Sequence, residues 1–247
     1  MQQDREKKLP RAQRKDKGRL RWTERDGYCL WWVGEQRAVR YDQLQRLLAR
    51  ESDFETARPG WLSASRTIQT IQRWQKGGLA HYIKPYARRP GFVYLSRKGL
   101  RFAELDYRYS EPRESQLTHL SYINQARLKF EEEYDDEEGE WISERAILAE
   151  QERRTPGQRL QHVPDGIFAF ANGSELELEV ELSRKAQHYL RAIMRGGEYL
   201  AETRNPVRYS VSQDARAGVI KAYRAVTKSG DTFREFIDIH DLKELEG

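Results

Sequence analysis

The sequence predicts a two-module chain of mixed α+β and α/β class, a basic helix-rich half followed by an acidic half built on a mixed sheet. Three observations predict it. Residues 1–110 hold 25 Lys and Arg against 12 Asp and Glu, a balance of +13, whereas residues 111–247 hold 19 against 27, a balance of −8. Apolar residues recur at helical spacing through most of the first half, and short β-prone runs alternate with helical segments in the second. The 247 residues suffice for two modest modules, and 6 Trp, 13 Tyr and 8 Phe supply core material although 34% of the chain is charged and its mean hydropathy is −0.93.

Residues 1–21 carry nine Lys and Arg and three Asp and Glu, with only Leu9 and Leu20 as large aliphatics. Such a stretch has no face to bury and reads as a flexible basic arm, either a solvated tail or one that touches nucleic acid. From Trp22 the order is helix, helix, helix, hairpin, helix. Thr23 can cap a helix carrying Tyr28, Leu30, Trp31 and Val33; Asp42 can cap a second with Leu44, Leu47 and Leu48; Ser63 or Ser65 can start a third with Ile68, Ile71 and Trp74, closed by Gly77-Gly78. Runs 79–84 and 92–95 then form a hairpin around Pro85-Tyr86-Ala87-Arg88-Arg89-Pro90-Gly91, whose tip is basic, and Ser96 opens another helix.

That order is the one of a winged helix-turn-helix spanning residues 22–110. Ile68, Ile71 and Trp74 point inward from its third helix, leaving Arg66, Gln69, Gln72, Arg73 and Lys76 outside. Arg and Gln match base edges and phosphates, and a basic half releases counterions from a polyanion, so Arg66, Gln69, Arg73, Lys76, Arg88 and Arg89 are the predicted DNA contacts. The alternative is a winged helix that holds another protein.

Residues 111–247 open on a linker at 111–115. Ser115 can cap a helix over 116–134 with Leu117, Leu120, Ile123, Ala126, Leu128 and Phe130 on one apolar side. Strands are predicted at 141–148, 162–170 and 175–182, then a helix at 184–202, a strand at 207–211, a helix at 214–226 and a strand at 233–237. The result is a mixed sheet flanked by helices.

The most specific segment is Val163-Pro164-Asp165-Gly166, followed by the turn Asn172-Gly173 and the strand Glu175-Leu176-Glu177-Leu178-Glu179-Val180-Glu181-Leu182. Alternation puts the leucines and valine on one face and the glutamates on the other, which alone would describe a solvated acidic face. The Asn-Gly turn sets the two strands side by side and brings Asp165 toward Glu179 and Glu181. Three converging carboxylates repel unless protonated or neutralised, and oxygen donors are what magnesium or manganese takes. Asp165 and Glu179 are the predicted metal ligands, Glu181 a ligand or general base, and Lys185 a cation for a phosphate under attack.

Pro164-Asp165 with Glu179-Val180-Glu181 resembles the PD-(D/E)xK nuclease superfamily, which implies a restriction-endonuclease-like mixed-sheet domain over 111–247. The usual lysine two residues after the glutamate is Glu181 here, as in enzymes with an ExE site, and Lys185 stands as its substitute. The winged helix, Leu117-Thr118-His119 with Asn124 and Arg127, and then VPDG and EVELSRK are similar to the replication-relaxation family of mobile elements and the MobC-type plasmid mobilisation relaxases. This resemblance implies a metal-dependent DNA-nicking protein acting at a specific site or origin, with other replication or mobilisation proteins as partners. It also gives His119 a catalytic part, against the plainer reading of a satisfied histidine at a helix start. A non-catalytic replication or relaxosome accessory factor, or a regulator, is the alternative from another class.

Other chemistries are excluded or unsupported. His162 points opposite to Asp165 if its strand is regular, and His81, His188 and His240 show no ligand spacing. No P-loop, GxGxxG, GxSxG or HExxH is present. No apolar run reaches the roughly 18 residues that span a bilayer, and the Lys/Arg-rich start lacks the apolar stretch of a signal peptide, so a cytoplasmic setting is expected. Cys29, the lone cysteine, sits in an apolar stretch and reads as a buried, inert thiol.

Overall fold

The structure is a computed structural model that describes residues 20–52, 58–134, 138–153, 162–195, 205–230 and 236–245. All but the last two residues of the predicted basic arm lie outside the described residues. The elements form a mixed α and β fold with two sheets. Among the described residues no helix is long and apolar enough to cross a membrane.

In the first half, α1 (Glu24–Glu35) starts at Thr23, whose hydroxyl and Asp26 close a reciprocal capping box. Strand β1 (Val39–Arg40) follows, a two-residue element too short to leave a periodic signal. Helix α2 (Tyr41–Arg50) begins two residues earlier than expected: Arg40 holds the cap position, and Asp42 lies in the first turn, paired with Arg40 at 2.6 Å. Ser63 caps α3 (Ala64–Lys76). Strands β2 (Ala80–Ile83) and β3 (Phe92–Leu95) make the hairpin, β1 adds to β3, and Ser96 caps α4 (Arg97–Phe102).

The second half opens with α5 (Glu114–Glu133), then β4 (Gly139–Ser143). The predicted strand at 141–148 is therefore half right. Ser143 turns the chain, its hydroxyl accepting from Ala146 N at 3.1 Å, and the helix-forming run that follows is α6 (Glu144–Arg153). Strands β5 (Gly166–Phe170) and β6 (Glu175–Glu181) pair antiparallel around Asn172-Gly173, where Gly173 takes the left-handed φ of 84° that the turn needs. Then come α7 (Gln187–Arg195), β7 (Val207–Val211), α8 (Gln213–Ser229) and β8 (Ile237–Asp241), the last placed later than the predicted 233–237. The far end of the predicted helix at 184–202 lies outside the described residues. The sheet order is β4-β5-β6-β7-β8, antiparallel on the β4 side and parallel from β6 onward.

This sheet is covered on both faces. Ile123, Ala126 and Phe130 of α5 pack on Phe168, Leu176, Leu178 and Val180, while Leu190, Ile193 and Met194 of α7 and Val219, Ala222 and Val226 of α8 cover Val207, Tyr209 and Val211. The register Glu177↔Val207, Glu179↔Tyr209, Glu181↔Val211 places the glutamates on the α7/α8 face. They are 1%, 2% and 1% exposed, so the solvated-face reading of this strand is corrected: helices lie over it.

Helix α5 also joins the halves. Its Leu117 and Leu120 pack with Ala38, Phe92 and Tyr94, and Leu128 enters the core of Cys29, Leu30, Trp32, Ile71 and Trp74. It is buried nearly all round, where the sequence predicts one apolar side. Cys29 is fully buried and burial pushes its thiol far up from the ordinary range. A disulfide-exchange reagent should label it about a thousandfold or more slower in the native protein than in the unfolded chain, tracking unfolding. Fast labelling under native conditions would contradict this packing.

Candidate functional site

At the C-terminal end of β6 the chain gathers residues from four separate segments. Asp165 extends the β5 ladder by one rung, its N–H donating to Leu178 O at 3.0 Å, and its Oδ2 accepts from Val180 N at 2.7 Å. The side chain thus takes the place of a strand acceptor and is fixed against β6. Gly166 follows because no larger residue fits: a Cβ there would come within 2.1 Å of the Trp141 ring.

Each of the three predicted carboxylates meets a basic side chain. His119 of α5 puts Nε2 3.0 Å from Val180 O and 3.2 Å from Asp165 Oδ2. Both neighbours are acceptors, so Nε2 carries the proton. Burial alone would lower this imidazole, but the hydrogen bond and charge of Asp165 prevail and hold it at about 9. Glu179 Oε1 lies 2.5 Å from His162 Nε2, whose Nδ1 faces the Tyr189 hydroxyl at 3.0 Å. Burial pushes the Glu179 carboxyl up while His162 pulls it the other way. Lys185 reaches back from the loop before α7 to Glu181 Oε1 at 2.6 Å, and that contact raises its ammonium against the effect of burial.

The predicted set Asp165, Glu179, Glu181, Lys185 and His119 therefore stands in one neighbourhood, with the Asp165 charge felt by both glutamates. His162 joins it against expectation. Residues 162–165 precede β5 and include Pro164, so strand alternation does not govern where His162 points. Tyr189, one residue past His188, carried no sequence signal. Among the described residues, no three His, Cys, Asp or Glu side chains are gathered so as to hold a metal ion.

The basic surface is distributed differently from the expectation in one respect. Arg66, Gln69, Gln72 and Lys76 are exposed on α3, and Arg88 and Arg89 are exposed at the hairpin tip, where the Arg89 guanidinium lies 5.6 Å from the Tyr86 ring. Arg73 instead turns inward. Its Nη2 pairs with Oδ1 of Asp26, a fully buried carboxylate that also accepts from Trp74 Nε1 at 2.8 Å and from the Thr23 hydroxyl at 2.9 Å. A helical wheel fixes where a Cβ points, and the long arginine stem then folds back to a charge that burial would otherwise leave unmatched. Arg73→Ala should accordingly cost about 3 kcal/mol in urea denaturation, whereas Arg66→Ala should stay within about 0.5 kcal/mol. Equal, small losses would remove the structural role given to Arg73.

Comparisons of the chain with protein-family models, with curated proteins and with solved structures find no match.

Proposed function

We propose that the protein binds DNA through its N-terminal half and nicks it at the carboxylate cluster with magnesium or manganese. The observation that carries this reading is the meeting of Asp165, Glu179, Glu181 and Lys185 at one end of a sheet, from positions up to 20 residues apart in the chain. The succession α1-β1-α2-α3-β2-β3, with β1 beside β3, supports the winged-helix assignment. The succession α5-β4-β5-β6-α7-β7 in a mixed sheet, interrupted only by α6, supports the PD-(D/E)xK assignment and with it the likeness to replication-relaxation and mobilisation proteins.

The donor set fits a hard divalent cation in chemistry, being all carboxylate oxygen. Glu181 Oε1 is buried against the Lys185 ammonium at 2.6 Å, and an ionised carboxylate oxygen has more lone pairs than that one contact uses. The three are not gathered around one point as they stand, so Asp165, Glu179 and Glu181 would hold the ion only after turning from His119, His162 and Lys185; when bound it would supply charge stabilisation at a phosphate and an activated water. The chain's own residues do the rest. Lys185, released from Glu181, offers its ammonium to the phosphate oxygens; His119 and His162 act as positioning residues that hold Asp165 and Glu179 in place.

The pairing of every carboxylate with a basic side chain favours a second reading, a non-catalytic replication or relaxosome accessory factor that keeps the fold. One experiment separates them: supercoiled plasmid bearing the cognate locus is incubated with the protein and magnesium or manganese. Open circles that form only with metal support the nuclease. Sequence-selective binding without nicking, together with no manganese uptake by calorimetry, supports the accessory factor.

A further inference from the structure

We propose that a DNA strand is held near the carboxylate cluster by an arginine track on the segment that joins the two halves, a surface separate from the exposed face of α3. The proposal rests on the DNA-binding reading above. Three adjoining depressions build the track. The outermost is walled by Arg97 and Arg101 of α4 and by Arg108 and Tyr109. The next shares Asp106, Tyr107 and Arg108 with it and adds Arg37 and Arg145. The innermost shares Arg37 and Arg145 with the second and ends on Asp165. The track is thus open through the outer two depressions, whereas the innermost encloses only about 10 Å³, no more than a water, and marks where the wall of the track comes nearest to Asp165.

Charge along the path has the polarity that phosphodiester chemistry needs. The outer two depressions hold five arginines against Asp106 and Glu152. Acidic groups gather at the inner end, where Glu35 is already engaged by Tyr107 at 2.7 Å and Ser143 at 2.5 Å, and Glu144 faces Arg37 at 3.6 Å. Arg97, Arg101 and Arg108 are exposed, and among the described residues no carboxylate is ion-paired with them. The Arg97 guanidinium lies 5.3 Å from the Tyr109 ring, a cation and aromatic pairing suited to a sugar-phosphate chain with its bases. Arg145 is a wall of the track and also a brace, donating to Gly34 O at 2.7 Å and Arg108 O at 2.9 Å. Burial and the neighbouring Arg37 pull its guanidinium down to about 10, as positive charge short of counter-ions would. Arg37 itself is held at φ 63°, a left-handed conformation costing a non-glycine residue about 1 kcal/mol, at the corner between the second and third depressions.

The test replaces Arg97, Arg101 and Arg108 together with Ala, and in parallel with Gln, which keeps the stem over Tyr109. Affinity for duplex and single-stranded oligonucleotides is measured against salt in EDTA, so that binding is read without chemistry. The log-log salt slope should fall by about 2.7 on duplex or about 2.1 on single strands, and whichever substrate shows it is the form the track accepts. If the wild type binds DNA and both folded triple variants match it in affinity and slope on both substrates, the track is overturned while the DNA-binding reading stands. If the wild type binds neither substrate, the functional reading falls and the track with it. Binding that depends on the track in a protein that never nicks keeps the track and removes only the nuclease.

Discussion

Asp165→Asn is expected to abolish metal-dependent nicking, by about a hundredfold or more, and to lower the melting temperature of the metal-free protein. The first effect follows from the role proposed for this carboxylate, since changing even the partners around a bound metal alters affinity or activity by about 10- to 100-fold. The second follows from the structure alone. From the sequence, three converging carboxylates predict relief of repulsion and a higher melting temperature on neutralisation. The structure sets a basic side chain against each of them: His119 against Asp165, His162 against Glu179, Lys185 against Glu181. An asparagine at 165 can still accept from Val180 N through its oxygen but offers His119 no negative charge, and losing that charge assistance costs about 1–2 kcal/mol. Plasmid nicking with manganese reads the first effect and calorimetric melting in EDTA the second. Persistent nicking would remove Asp165 from the reaction, and a melting temperature above wild type would show that repulsion, not pairing, governs the cluster.

What was legible in the chain was whatever depended on local period. The alternation in β6, the Asn172-Gly173 turn and the helix caps at Thr23, Ser63 and Ser96 are properties of a few neighbouring residues, and they place Asp165 beside β6. The partner of each carboxylate was less legible because it comes from elsewhere. His119 arrives on α5, 46 residues before Asp165, and His162 from an irregular stretch that alternation does not describe. Burial of the glutamate face was invisible for the same reason: α7 and α8 cover it, and no residue of β6 encodes that cover. Lys185 lies close enough in sequence to be placed correctly, only four residues beyond Glu181. Arg73 marks the opposite limit, a residue whose helical phase is right and whose side chain nevertheless goes inward.

Asn124 and Arg127, which enter the sequence argument only as part of a family likeness, turn out to fasten the two halves, and Arg127→Ala should be the most destabilising single change. Asn124 donates to Ala38 O at 2.8 Å across the junction. The Arg127 side chain is 2% exposed, its guanidinium 5.2 Å from the Trp31 ring and 4.5 Å from that of Trp32, and it binds Glu131 Oε1 at 2.6 Å. With the Gln36 amide oriented to satisfy its neighbours, Gln36 oxygen accepts from both Arg127 Nη1 and Trp141 Nε1 at 3.0 Å. Glu131 also takes Trp32 Nε1 at 3.0 Å and Arg50 Nη1 at 2.9 Å, so a single carboxylate ties α5 to α1 and α2. Alanine removes the guanidinium, leaves a cavity between two indoles and strips Glu131 of its closest cation. Breaking a buried pair from one side costs about 3–5 kcal/mol, against a total of about 5–15 kcal/mol for a typical domain.

The same junction gives a pH signature. Burial pushes the Glu131 carboxyl up, but the Arg127 and Arg50 guanidiniums outweigh it and hold the group below its ordinary value. A depressed carboxylate contributes stability that is present above its unfolded value and lost as pH falls through the folded one. Wild-type stability should therefore decline on acidification below about pH 4.5, and in Arg127→Ala this contribution shrinks because the folded value moves back toward the unfolded one. Because the clasp joins the halves, urea unfolding of the variant should also split into two transitions, reported differently by Trp fluorescence, which comes from five tryptophans in the first half and Trp141 in the second, and by far-ultraviolet dichroism from the whole. A single transition with a loss under about 1 kcal/mol would mean that the apolar contacts of α5 join the halves without this charged clasp.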